Sequence, residues 1–281
     1  MSRFVVVPQW QGSASSRAMA LIDGAEAIAG DLPSTACSRV DVPLEAGEAI
    51  GTGVHRASSL MRIRTSISEA VAAADPPAIV VGGDATVTVG ALDALTSGGA
   101  DIAVVWFSAH AALHSPETSR DGSFEGMALR AVTGGFGGGL AFARGRIDPA
   151  RIVLAGAREY DDAEAELLES GGMTSVSVDE LTSRPTAIAE ALAPRGAERL
   201  FLHISLDVLD PSEIGGVSSS VPFGLASQTL IDAISALRAR FELVGATISG
   251  FAPSTPAAAV DDMGTILRLV SALTKSQQGT R

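Results

Sequence analysis

The chain has 281 residues, 46% of them apolar, enough for one large α/β core. Its net charge is −12, its pI about 4.7 and its aromatic content only 4%, which argues against nucleic acid and an anionic membrane as partners. No uninterrupted apolar run of about 18 residues is present, the first residues lack signal-peptide architecture, and the single Cys37 gives neither a disulfide nor a cysteine metal site. A cytoplasmic protein of one domain, residues 1–281, is expected, with Cys37 as a small buried apolar residue.

Short β-branched runs alternate with longer Ala/Leu-rich stretches. In chain order the pattern predicts a strand at Phe4–Val7, helices at Ser16–Ala29 and Ala57–Ala74, and a strand at Ala78–Val81. A helix follows at Val87–Thr96, then strands at Ile102–Phe107 and Ile152–Ala155 and a helix at Asp162–Glu169. The last elements are a strand at Ser175–Val178, a helix at Val178–Leu192, a strand at Leu200–Leu206, a helix at Ala226–Arg240, a strand at Leu243–Ile248 and a helix at Pro256–Lys275. Continuous apolar strands separated by helices predict a mostly parallel sheet covered on both faces. The glycine-rich stretch Thr133–Gly139 follows no strand and lacks phosphate-binding spacing, so it reads as a surface loop; the tail Ser276–Arg281 reads as frayed.

Candidate chemistry gathers at the ends of the predicted strands, where parallel α/β folds place their sites. The segments are Val80-Val81-Gly82-Gly83-Asp84-Ala85, Trp106-Phe107-Ser108-Ala109-His110-Ala111-Ala112-Leu113-His114-Ser115-Pro116-Glu117-Thr118-Ser119, Asp121-Gly122-Ser123-Phe124-Glu125-Gly126-Met127 and His203-Ile204-Ser205-Leu206-Asp207-Val208-Leu209-Asp210-Pro211-Ser212. Side chains two apart on a strand point the same way. Positions 108, 110 and 112 are therefore expected to face one site, with 205 and 207 facing it from another strand.

These four segments, in this order, resemble the arginase/agmatinase (ureohydrolase) family. Weaker matches are Gly156-Ala157-Arg158-Glu159 and Gly250-Phe251-Ala252-Pro253. The resemblance runs from about residue 75 to 275 and implies a three-layer α/β/α sandwich with a mostly parallel sheet of about eight strands. It also implies self-association into a homo-oligomer. Enzymes of that family hold a pair of Mn²⁺ ions sharing a hydroxide, and hard cations of this kind need a carboxylate-rich shell. Here Ala85, Ser108, Ala112 and Ser205 stand where the family has ligands, and only His110 and Asp207 remain. Two protein ligands are too few for a catalytic metal site. The sequence thus predicts no resident metal and no cofactor.

The family's proton-shuttling histidine aligns with Glu125, its substrate-contacting asparagine with His114 and its guanidinium-gripping glutamate with Gly250. His110, oriented by Asp207 or Ser108, is the candidate general base or acid, assisted by Glu125 or His114. Asp84, Ser123 and Arg120 complete the expected pocket; Asp84 and Asp210 are also expected to hydrogen-bond their own turns. Ser108 and Ser205 are candidate nucleophiles for His110, although no G-x-S-x-G elbow is present. His55 and the segment Gln9–Gly12 are expected in loops that face the site.

Three functions fit this reading. The first is a metal-independent enzyme doing acid/base chemistry on a small molecule: cyclisation, isomerisation, elimination or addition, or amide-type hydrolysis. The second is a non-catalytic pseudoenzyme for ligand binding or assembly. The third is an atypical metal-dependent C–N hydrolase.

Overall fold

Alternation along the central strands sets the layering. In β4 (Ile102–Phe107), Ala103, Val105 and Phe107 join one apolar cluster, while Ile102, Val104 and Trp106 join another on the opposite face. A strand buried on both faces must be covered on both, and here two helical layers cover it. The computed structural model describes residues 3–99 and 101–275. The tail at Ser276–Arg281 lies outside these.

All eight strands run parallel in the order β2-β1-β3-β8-β7-β4-β5-β6. They are β1 (Phe4–Val6), β2 (Cys37–Arg39), β3 (Ala78–Val81), β4, β5 (Ile152–Ala155), β6 (Thr174–Val176), β7 (Arg199–Ser205) and β8 (Glu242–Ser249). One face carries α1 (Ala20–Gly30), α6 (Val178–Ser183), α7 (Ala187–Leu192), α8 (Ser227–Arg238) and α9 (Pro256–Thr274). The other carries α2 (Ala57–Ala72), α3 (Val87–Thr96), α4 (Ala128–Val132) and α5 (Asp162–Ser170). Ile63 and Ile67 on α2 and Ile234 and Leu237 on α8 are typical of the buried stripes. Each such side chain contributes about 1.5–3 kcal/mol by leaving water. No helix among the described residues is long and apolar enough to cross a membrane.

The expected three-layer architecture is present, with local corrections. The edge strand β2 is too short and too polar to show a period, and Cys37 within it is half-buried rather than fully buried. Burial still pushes its thiol pKa up. The helix expected at Ser16 begins at Ala20, because the Ser13 and Ser15 hydroxyls accept from the Ser15 and Arg17 amides and hold the chain in turns. The helix expected over Val178–Leu192 is two helices, interrupted at Arg184-Pro185 where proline cannot donate to the preceding turn. Strand β6 ends at Val176, since the Ser177 hydroxyl caps α6 by accepting from the Glu180 amide at 3.2 Å.

Candidate active site

Strands β3, β4 and β7 lead into one pocket of about 320 Å³, with β8 lying between β3 and β7 in the sheet. After β3 the chain turns sharply through Gly82 and Gly83, at φ +98° and +72°. A Cβ on Gly82 would lie 2.4 Å from Ala25 Cβ, so the turn requires glycine twice over. It delivers Ala85 to the pocket wall and Asp84 beneath it. Asp84 is fully buried, accepting from Gln9 Nε2 at 2.8 Å and from the Thr86 amide and hydroxyl at 2.9 and 2.6 Å. It therefore supports the pocket rather than lining it, and burial pushes its carboxyl pKa up.

Ser108, His110, Ala112, Ser205 and Asp207 meet in the pocket from β4 and β7. His110 Nδ1 lies 2.6 Å from Asp207 Oδ2, and Asp207 Oδ1 accepts from the Ala109 amide at 3.1 Å. An ionised carboxylate only accepts, so Nδ1 is the donor and the second ring nitrogen is left towards the pocket. Burial alone would raise the Asp207 carboxyl pKa. The hydrogen bond and charge of His110, with Ser205 and the Ala109 amide, instead hold it below the ordinary range. Burial would likewise lower the His110 pKa, but Asp207, then Glu125 and Glu159, raise it above 6.5.

Glu125 lines the same pocket from the loop before α4. Its amide donates to the Gly12 carbonyl at 2.9 Å, and a Cβ on Gly12 would strike Asp84 Oδ1 at 2.5 Å. Burial and the neighbouring Asp84 charge push the Glu125 pKa up to about 8. Ser123 lines the pocket beside it.

His114 and Arg120 do not join this pocket. Regular strand β4 ends at Phe107, the two-residue spacing persists through Ser108, His110 and Ala112, and there Ala112 adopts a left-handed φ of +54° that swings the chain aside. His114 Nε2 then faces Glu164 Oε2 at 3.6 Å and Asp161 Oδ2 at 3.9 Å, and Arg120 stands exposed beside Asp161. Among the described residues His114, Asp161 and Glu164 form the one cluster spaced to hold a metal. Both of its carboxylates also serve the capping box of α5, where Asp161 Oδ1 accepts from the Ala163 and Glu164 amides and Glu164 Oε2 from the Asp161 amide, and Glu164 Oε1 accepts from the Leu113 amide.

The early loops also differ from expectation. Gln9 is buried against Asp84, Gln11 donates to the Pro43 carbonyl, and the His55 amide donates to the Gly122 carbonyl; none lines the pocket. Ser13, Ala14 and Ser15 line it instead, with Trp106, Asp121, Ser218 and Ser219. Ser219 Oγ lies 3.5 Å from His110 Nε2. Ser108 donates to Asp207 at 3.3 Å, and Ser205 also bonds that carboxylate. Both serines expected to line the pocket do so, and as candidate nucleophiles they are bonded to the carboxylate behind the imidazole.

Residues 13–267 match the arginase family model. The chain belongs to the arginase family. An arginase of Staphylococcus aureus (strain COL) is 32% identical over 154 residues, 53% of this chain and 51% of that protein. The chain therefore spans about half the length of the curated arginases it matches. An N(omega)-hydroxy-L-arginine amidinohydrolase of Streptomyces lavendulae is 26% identical over 218 residues, 76% of this chain and 74% of that one. Entamoeba histolytica arginase, solved with L-ornithine, shares the fold with TM-score 0.81 at 19% identity, covering 96% of both chains. Bacillus subtilis arginase does so with TM-score 0.79 at 22% identity, covering 99% of this chain and 100% of its own.

The family's metal pair can be tested against this donor set. At the ligand positions implied by resemblance stand two alanines, two serines, one imidazole and one carboxylate. The last two are already bonded to each other at 2.6 Å, and both serines bond the same carboxylate. This set does not fit two hard divalent cations.

Proposed function

We propose that this arginase-family chain performs metal-independent proton transfer on a small, neutral molecule. The observation that carries the reading is the 2.6 Å bond between His110 Nδ1 and Asp207 Oδ2, in a pocket that Glu125 also lines. Asp207 fixes the imidazole tautomer, so neutral His110 presents a lone pair at Nε2. On accepting a proton, the imidazolium is stabilised by the carboxylate behind it. Glu125 stays protonated below about pH 8 and supplies the matching donor. Such a positioned acid or base contributes about 10²–10⁴ in rate.

Serines around the pocket and protonated Glu125 suit an uncharged substrate with oxygen or nitrogen acceptors. Gly250, where the resemblance puts a guanidinium-gripping carboxylate, offers no cation clamp. Hydrolysis of an amide-type bond is the favoured reaction, because the relatives include an amidinohydrolase. Isomerisation, elimination or addition, and cyclisation need the same two groups. A cytoplasmic homo-oligomer belongs to the same proposal. A second reading, metal-dependent C–N hydrolysis, has the names of the relatives in its favour and the donor set against it.

The test is depletion of one component from a defined mixture of uncharged amides, lactams and esters. Chelator-treated wild type should consume it and folded His110→Ala should not. Consumption that needs added Mn²⁺, or that survives in His110→Ala, would overturn the proposal.

A further inference from the structure

We infer that Ser219 is a nucleophile, completing a Ser219–His110–Asp207 triad that works through an acyl-enzyme. The inference rests on the proposed role of His110 and names the reacting atom beside it.

Two contacts in line carry it: Asp207 Oδ2 lies 2.6 Å from His110 Nδ1, and Ser219 Oγ lies 3.5 Å from His110 Nε2. A triad is recognised by this order of contacts and not by chain position, and its nucleophile–base contact is often loose before substrate binds. Ser219 is also held from both sides. The Ser218 amide donates to the Gly250 carbonyl at 2.9 Å, and Arg158 Nη2 donates to the Val221 carbonyl at 2.7 Å. Arg158 Nη2 further donates to the Asp207 carbonyl at 3.0 Å, so one guanidinium ties the serine loop to the carboxylate's own segment. Trp106 lines the pocket, and its buried indole Nε1 has no partner among the described residues.

The step balances without a co-reactant beyond water. Ser219 Oγ bonds the carbonyl carbon and passes its proton to His110 Nε2. The bond from carbon to the leaving nitrogen or oxygen breaks, and the leaving atom takes a proton from Glu125. Water then attacks the acyl carbon, giving its proton back to Glu125, while Oγ leaves and recovers its proton from His110.

Two generic probes test this on the full chain: diisopropyl fluorophosphate for labelling and p-nitrophenyl acetate for turnover. The expected result is one diisopropylphosphoryl group, placed on Ser219 by peptide mass spectrometry. Ser219→Ala should take none, and Ser220→Ala, altering the exposed next residue, should label like wild type. His110→Ala should label about 100-fold more slowly. No label on folded wild type, or a label on Ser108, would overturn the inference. Ester hydrolysis abolished in His110→Ala but unchanged in Ser219→Ala would sink the nucleophile and leave the proton-transfer role standing. Hydrolysis unchanged in both would sink the two together.

Discussion

Two histidines, one just past β4 and one inside neighbouring β7, set the proposed reactive region against an inert one. His110 follows β4 at the mouth of the pocket, where Asp207 raises its pKa. His203 lies inside β7, fully buried, with Nδ1 against Thr88 and Thr247 hydroxyls at 2.7 and 2.9 Å and its ring 3.8 Å from Trp106. Burial pushes its pKa down to about 3, so it stays neutral. Both imidazoles are hydrogen-bonded. Contact with a carboxylate, and a nitrogen left facing open space, suit one to the proposed proton transfer, while the other packs in the core.

The largest expected effect exchanges the two phenotypes. His110→Ala should cut turnover by about 100-fold or more while leaving the melting temperature within a few degrees. His203→Ala should open a cavity and leave the Thr88 and Thr247 hydroxyls, 2.8 Å apart, with only each other as partners, costing about 2–4 kcal/mol in denaturant unfolding. If His203→Ala instead lowers activity at unchanged stability, the division between regions is lost.

Asp207→Asn sharpens the contrast next. It keeps the shape but removes the charge, so the His110 pKa should fall, as read from its ring proton shifts, and turnover should drop by about 100-fold. A His110 titration unmoved by this change would contradict the pairing.

The pH profile follows. Activity needs His110 able to accept and Glu125 able to donate, so it should rise above pH 6.5 and fall again near pH 8. The charges acting on His110 are Asp207, Glu125 and Glu159; those acting on Glu125 are Asp84, Asp207 and His110. Glu125→Gln should lower the rate and abolish the alkaline fall; an unchanged profile would remove Glu125 from the chemistry.

The smallest effect is on stability. The folded pKa of His203 is about 3 against an ordinary 6.5, so the unfolded chain binds the extra proton between those values. Stability is complete above pH 6.5 and is lost as pH falls towards 3, by a few kcal/mol at about 1.4 kcal/mol per unit. Asp207, whose pKa is depressed, adds loss in the same direction below its ordinary 3.8. Unfolding midpoints of wild type and His203→Gln should converge in acid; parallel curves would contradict the buried neutral imidazole.

The sheet was legible because β3, β4 and β5 are buried on both faces and therefore nearly continuous in β-branched or apolar residues. Gathering Ser108, His110 and Ala112 opposite Ser205 and Asp207 followed from strand spacing. The same reasoning failed for His114, since spacing rules end where Ala112 turns left-handed. Ser219 carried no local signal. Its place depends on Gly250 and Arg158, contacts far away in sequence, and a run of three serines reads as loop.

Metal content is the most direct test of the claim that this family fold works here without its metal pair. Protein incubated with Mn²⁺ and desalted should retain about a tenth of an equivalent or less by elemental mass spectrometry. One or two equivalents, lost in His110→Ala, would contradict that claim and return metal-assisted hydrolysis to this pocket.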